Sequence, residues 1–372
     1  MFRTCGRCVM DTSAPNITFF DDNTCNFCRD YELRCSQTVF EDESTRSDRR
    51  RHLVSRIKRD GYGKPYDCIV GVSGGVDSSF VLHLARQEGL RPLAVHMDNN
   101  WNSDLAVSNI KSLVDALDVD METHVIDWTE YRGMMEAFFD ADVVDVELLY
   151  DNAMLAVNYR YAKKYGIRHI LSGSNFATEG VDMPEGWSWI KTDERNIRSI
   201  CASRKIRPKT FPLISTTEFV VNTTLRRISW VSFLDYYDYR KESALSILRD
   251  QYGYIRYPYK HYESVFTRFY QGYLLPRKFG IDKRKLHLST LVMSKQLTRR
   301  EAVGLLEDSP YPDQAQLRED IQYFLKKMRW SNEQLEKYIS RPGRRHDSFG
   351  SELRWWRMLR AVKHKLRGVG LW

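Results

Sequence analysis

Cys68-Ile69-Val70-Gly71-Val72-Ser73-Gly74-Gly75-Val76-Asp77-Ser78-Ser79 is the stretch whose reading decides the fold. Cys68 to Val72 is a short apolar run, as a strand buried on both faces requires. It passes directly into a loop with two glycines and then into Phe80, Val81, Leu82, Leu84 and Ala85, which recur at helical spacing until Gly89. A glycine-rich loop between a strand and a helix N-terminus lets the backbone close around an anion. The amides of the loop and first helical turn point at it, and the helix dipole favours its negative charge. Ser73, Ser78 and Ser79 add hydroxyl donors. The stretch is a phosphate site by construction.

No GxxxxGK[ST] occurs in the chain, and no GxGxxG follows a strand, so this is neither a Walker A loop nor a dinucleotide fingerprint. SGGVDS after a strand resembles the PP-loop of the ATP-pyrophosphatase superfamily, which includes GMP, NAD and asparagine synthetases and several tRNA-thiolating enzymes. The resemblance implies an α/β fold with a doubly wound, mostly parallel, HUP-like sheet. It also implies cleavage of ATP to AMP and pyrophosphate, with Val72, Ser73, Gly74, Gly75, Asp77 and Ser78 at the nucleotide. Triphosphate chemistry brings in Mg2+. No feature of the sequence fixes its ligands, and Asp77 is the expected catalytic carboxylate there.

Outward from the loop, Pro92 to Asp98 reads as a second strand, residues 103–117 as a helix, Glu122 to Ile126 as a third strand, residues 146–165 as a long helix and His169 to Ser172 as a fourth strand. Ligands of α/β sheets bind at the carboxyl ends of strands. Met97 and Asp98, which end the second strand, are therefore nucleotide candidates, as are Gly173 and Asn175 after the fourth, with Glu179 near phosphate or metal. Residues 181–212 mix aromatic and charged side chains without clear periodicity. They read as a mobile loop near the site, and Lys191 and Asp193 are its catalytic candidates.

Toward the N-terminus, Cys5-x-x-Cys8 and Cys25-x-x-Cys28 are separated by sixteen residues. Each knuckle aims two thiolates at one point, and two knuckles close a tetrahedron around Zn2+, leaving no open position, so the metal is structural. Two disulfides or a redox pair are the competing readings. A start without an apolar leader argues against the first, and the absence of a βαβ unit around a single CxxC argues against the second. The expected organisation is a zinc ribbon (residues 1–40), a linker helix (41–63), a PP-loop domain (64–230) and a mainly helical substrate or partner region (231–372).

The net charge of +8 suits anionic substrates and equally suits nucleic acid. No apolar run approaches the ~20 residues that span a bilayer. A cytoplasmic protein is expected. Beyond residue 231 the chain is rich in aromatic and basic residues in helical patterns, most of them core, with stacking on bases or on a sugar nucleotide as the functional alternatives.

Three stretches together resemble the bacterial N-acetyl sugar amidotransferases of lipopolysaccharide O-antigen synthesis: CGRCVMDTSAPNITF (residues 5–19), IVGVSGGVDSS (69–79) and YKHYESVFTRFYQGYLLPRKFGIDKRKLHLS (259–289). That resemblance implies conversion of an acetamido group on a nucleotide-linked sugar into an acetamidino group. It places Lys260, His261 and Arg268 at the substrate, with Glu263, Lys283 and Arg284 in the same stretch. It further implies a separate glutaminase and cyclase-like unit that supplies ammonia, and no nucleic-acid partner. The alternative is a tRNA-thiolating PP-loop enzyme. Such enzymes generally need further cysteines near ATP, whereas only Cys35, Cys68 and Cys201 remain outside the two pairs.

Overall fold

The computed structural model describes residues 2–257, 263–311 and 313–359. The N-terminal segment makes two isolated antiparallel bridges, Thr4 with Asp11 and Phe19 with Cys25, and runs into α1 (Asn26–Cys35). The expected turn at Asp21 to Asn23 is present: Asn23 takes φ +61°, and Phe20 and Thr24 close the turn by a 2.9 Å hydrogen bond. The connecting helix follows as α2 (Glu43–Asp60), capped by the Asp42 carboxylate on the Thr45 amide.

Among the described residues the sheet has five strands: β1 (Cys68–Gly71), β2 (Pro92–Asp98), β3 (Met121–Val125), β4 (His169–Ser172) and β5 (Ser229–Ser232). Their order is β3-β2-β1-β4-β5, and every pairing is parallel. The winding direction reverses between β1 and β4, so their carboxyl ends diverge and open a crevice. Helices α3 (Val76–Gln87) and α4 (Asp104–Leu117) cover one face, and α5 (Trp128–Asp140) and α6 (Leu148–Lys164) the other. Cys68 and Val70 pack on the α3 side while Ile69 packs on the α6 side, which is why β1 is apolar at successive positions rather than alternating.

The doubly wound sheet is as expected, and β3 begins one residue earlier. Two elements left no clear trace in the sequence. β5 is only four residues long, Ser-Trp-Val-Ser, preceded by Arg226-Arg227-Ile228. α5 carries Thr129, Glu130 and Arg132 near its start and Glu136 between its buried Met134, Met135, Phe138 and Phe139.

Residues 181–212 are not the mobile loop expected of them. After α7 (Phe176–Glu179), Trp187 and Asp193 are buried and α8 (Glu194–Ser203) packs Ile197, Ile200 and Cys201 into the main core. Three apolar positions suffice to seat this helix, and its many exposed charges hid them. A further helix, α9 (Thr216–Thr224), precedes β5.

Beyond the sheet come α10 (Lys241–Tyr252), then α11 (Val265–Phe269) continuing into a π-helical segment, Tyr270–Phe279, around Pro276. Next are α12 (Arg284–Met293), α13 (Arg299–Glu307), α14 (Gln314–Met328) and α15 (Asn332–Ser340). α10, α11, α14 and α15 share the cores of the sheet, whereas α12 and α13 bury Leu288, Met293 and Ala302 in smaller clusters with the N-terminal segment. Phe266, Phe269, Phe324 and Tyr338 belong to the same buried cluster as Ile69, Trp101 and Phe139. The ribbon docks here too. Arg299 donates to the carbonyls of Cys5 (2.9 Å) and Cys8 (3.2 Å), and Lys285 pairs with Asp11 at 2.5 Å.

Candidate nucleotide site and four-cysteine cluster

The loop after β1 carries Gly74 at φ +83°, a conformation that glycine adopts without cost. A side chain at Gly74 would also meet Ala106 at 3.0 Å. Inside the loop, Ser78 Oγ receives the Ser73 amide (3.2 Å) and donates to the Gly75 carbonyl (3.2 Å), and the Gly75 amide lies 3.3 Å from Ser73 Oγ. This knot of hydroxyls shapes an anion nest at the N-terminus of α3.

The second wall is the loop after β4. A Cβ on Gly173 would stand 2.8 Å from the Ser78 amide nitrogen, so the two loops meet backbone to backbone. Asn175 caps α7, accepting from the Thr178 amide at 2.8 Å and donating to the Gly173 carbonyl at 3.0 Å. It thus shapes the second loop through its own hydrogen bonds. On the β2 side, Asp98 accepts from the Asn100 amide (2.8 Å) and the Asn102 amide group (3.1 Å), and Met97 is buried in the core. Asn102 also donates to His96 Nε2 (3.2 Å), which leaves His96 Nδ1 to donate to the Val72 carbonyl at 2.9 Å. Of the residues expected at the nucleotide, Ser73, Gly74, Gly75, Asp77 and Ser78 lie in the loop after β1 and the first turn of α3, with Gly173 and Asn175 facing them in the loop after β4, whereas Asp98 lies on the other side of β1 at the end of β2, and Val72 and Met97 are buried in the cores on either face of the sheet.

Three tyrosines that sequence reasoning left in the core reach this loop. Tyr254 and Tyr257 donate to the Gly74 carbonyl at 2.8 and 3.1 Å, and the Tyr239 hydroxyl donates to the Asp77 carboxylate. Their only trace in the sequence was the density of tyrosine between residues 236 and 262. Glu263 lies against the loop as well, 3.6 Å from where a Gly75 Cβ would stand, and the Ser103 amide donates to its carbonyl at 2.9 Å. Asn102 and Ser264 form an antiparallel bridge beside it.

The other expected site residues are placed differently. Lys191 lies between Asp145 (2.7 Å) and Asp151 (2.8 Å), with a third of its side chain exposed. Burial and these two neighbours act on Lys191 in opposite senses, and the two carboxylates win, holding its ammonium charged. Burial pushes the Asp151 carboxyl up. Asp193, expected to be catalytic, is instead fully buried. It caps α8 and accepts from Trp189 Nε1 (2.9 Å), Ser351 Oγ (2.6 Å) and the Glu352 amide (3.0 Å). Arg268, expected at the substrate, is instead in a buried two-pronged ion pair with Asp320, both bonds 2.6 Å, that ties α11 to α14. Lys260 and His261 lie outside the described residues.

The four cysteines of the two knuckles converge as the spacing required. Cys5 and Cys28 sulfurs are 3.8 Å apart, and Cys8–Cys25 and Cys25–Cys28 are 3.7 Å apart. Thiolates about 2.3 Å from a tetrahedral zinc stand about 3.8 Å from one another. The Arg7 and Met10 amides aim at Cys5 and Cys8 sulfur, both at 3.4 Å, as orienting donors do around a metal thiolate. The donor set fits zinc, held by Cys5, Cys8, Cys25 and Cys28, with a structural role.

Residues 50–181 match the family model described as NAD synthase, and residues 263–363 match that of the LPS biosynthesis protein WbpG-like, C-terminal domain. The chain carries both domains. Its PP-loop belongs to the first, and the segment that bridges to Asn102 opens the WbpG-like domain. Solved structures similar in part include an NMN synthetase from Francisella tularensis, at 16% identity and TM-score 0.31, covering 57% of this chain and 94% of that one. An NH3-dependent NAD synthetase from Campylobacter jejuni matches at 13% identity and TM-score 0.31, with the same two coverages, 57% and 94%. A 4-thiouridine synthetase in complex with RNA and ATP matches at 17% identity and TM-score 0.26, over 50% of each chain. No curated protein matches. Among the described residues, no helix is long and apolar enough to cross a membrane. The PP-loop fold implies ATP and Mg2+.

Proposed function

We propose that the chain is an ATP-dependent, AMP-forming sugar amidotransferase of the carbon–nitrogen ligase type, acting in lipopolysaccharide O-antigen or related surface-glycan synthesis in the cytoplasm. Its substrate is a nucleotide-linked N-acetyl sugar, and its product carries an acetamidino group. The observation that carries this reading is the direct seating of a WbpG-like domain, through residues 263–265, against the mouth of a PP-loop.

An amide carbonyl is a weak electrophile with a poor leaving group. The acetamido oxygen attacks the α-phosphorus of ATP, pyrophosphate departs, and the carbon now bears an adenylate. Ammonia attacks that carbon, the C–O bond breaks, and AMP leaves with the original oxygen. The chain's part is positioning and charge stabilisation. Gly75 and α3 present amides to the phosphates, Ser73 and Ser78 add hydroxyls, and Asp77, held by Tyr239, is the carboxylate that would hold magnesium, which would neutralise the triphosphate charge when bound. Ammonia is delivered by a separate glutaminase unit.

Thiolation is disfavoured by the remaining cysteines. Cys35, Cys68 and Cys201 are all buried, and burial pushes Cys35 up to about 11 and Cys201 to about 12, against the thiolate that sulfur transfer needs. The test is incubation with ATP, Mg2+, ammonium and a UDP-linked diacetamido sugar acid, followed by mass spectrometry. AMP together with replacement of one acetamido oxygen by nitrogen supports the proposal. AMP formed only with tRNA and a sulfur donor would replace it.

A further inference from the structure

We infer that Tyr254 and Tyr257 are positioning residues of the nucleotide site, holding the Gly74 carbonyl so that the next amide faces the phosphates. This rests on the ATP reading of the PP-loop.

A glycine peptide is free to turn over unless something holds it. At Gly74 no side chain helps, since a Cβ there would strike the Ala106 carbonyl and side chain at 3.0 Å. Two buried hydroxyls from outside the loop take its carbonyl instead, Tyr254 at 2.8 Å and Tyr257 at 3.1 Å, filling both oxygen lone pairs. In a trans peptide the carbonyl and the following N–H point in opposite directions. Pinning the Gly74 oxygen toward the tyrosines therefore turns the Gly75 amide the other way, where it now finds Ser73 Oγ at 3.3 Å. An anion in the nest takes up that donor.

The tyrosines are themselves held. The buried Asn109 side chain bonds the backbone of Ile255 in both directions, at 2.9 and 3.0 Å, and reaches the Tyr257 hydroxyl at 3.4 Å. The two rings meet edge to face with centroids 6.2 Å apart. The aromatic segment that follows α10 thus acts on phosphate through the loop backbone, without touching phosphate itself.

The test compares the full-length chain with its Tyr254→Phe/Tyr257→Phe variant, measuring calorimetric dissociation constants for magnesium ATP, inorganic pyrophosphate and adenosine. The control is Tyr252→Phe, which removes a hydroxyl bonded to His83 Nδ1 at 2.7 Å, away from the loop. The inference expects the double variant to bind ATP and pyrophosphate at least tenfold more weakly and adenosine unchanged, with the control equal to the unsubstituted chain. Pyrophosphate affinity within twofold of the unsubstituted chain would overturn it. So would equal weakening of adenosine and pyrophosphate, which marks general loosening. Failure of the unsubstituted chain to bind either ATP or pyrophosphate would remove the ATP reading and this inference with it.

Discussion

Gly173 and the Ser78 amide stand in backbone contact, close enough that a single methyl group at residue 173 would lie 2.8 Å from that nitrogen. The second atom in its way is the Asp77 carbonyl carbon at 2.9 Å, so neither obstacle is a flexible side chain. Gly173→Ala must therefore push the loop after β4 away from α3 and widen the nest. We expect at least a tenfold loss in kcat/KM for ATP with the fold retained, read by AMP release and by circular dichroism.

Arg268 and Asp320 test a buried charge pair. Both side chains are more than 90% buried. Removing one partner strands the other charge, a loss of about 3–5 kcal/mol, whereas replacing both with apolar groups of similar size is often neutral. Arg268→Met alone should lower stability by that order in urea denaturation, and Arg268→Met/Asp320→Leu should recover most of it. A substrate-binding arginine would instead leave stability intact and raise the sugar KM.

Asp235 predicts a pH effect. Its carboxyl is buried behind α7, where it accepts the Phe176 amide at 2.8 Å, and burial pushes it up to about 6. In the unfolded chain an aspartate titrates at about 3.9, and each pH unit separating the folded from the unfolded titration is worth about 1.4 kcal/mol. The folded state thus favours the protonated form. Its contribution is fully present below pH ~4, declines between about 4 and 6, and is gone above, a change of about 3 kcal/mol. Asp235→Asn keeps the acceptor and removes the charge. The variant should gain on the unsubstituted chain as pH rises from about 4.5 to about 7, by unfolding free energies measured at each pH.

The four-cysteine cluster predicts one zinc per chain by elemental analysis. Cys25→Ser should abolish it. Because Arg299 bonds the carbonyls of Cys5 and Cys8, loss of the metal should also destabilise the docking of α12 and α13, seen as a lower Tm and faster proteolysis there.

The sheet, the glycine-rich loop after β1 and the convergence of the four cysteines were legible because each is written in contiguous residues whose spacing is dictated by geometry. The nest around Ser73 to Ser78 needs glycine and hydroxyls in one short stretch, and four thiolates need two CxxC turns. What stayed hidden depends on partners far along the chain. Asp193 read as catalytic because nothing near it in sequence says that Ser351 and Glu352 will bond it, and Arg268 because Asp320 lies 52 residues away. Tyr254 and Tyr257 looked like core because a buried phenol and a loop-holding phenol have the same sequence signature. The charges of α8 masked the three apolar positions that seat it.

The docking of the ribbon sets an order of events during synthesis. Cys8 and the arginine that clasps it are 291 residues apart. At about 5–20 residues per second, the ribosome takes roughly 15–60 s to make that stretch. The ribbon can bring its four cysteines together early, as a tethered knob. The surface that receives it is completed only when α12 and α13 have emerged, so the ribbon must wait for residues made long after its own.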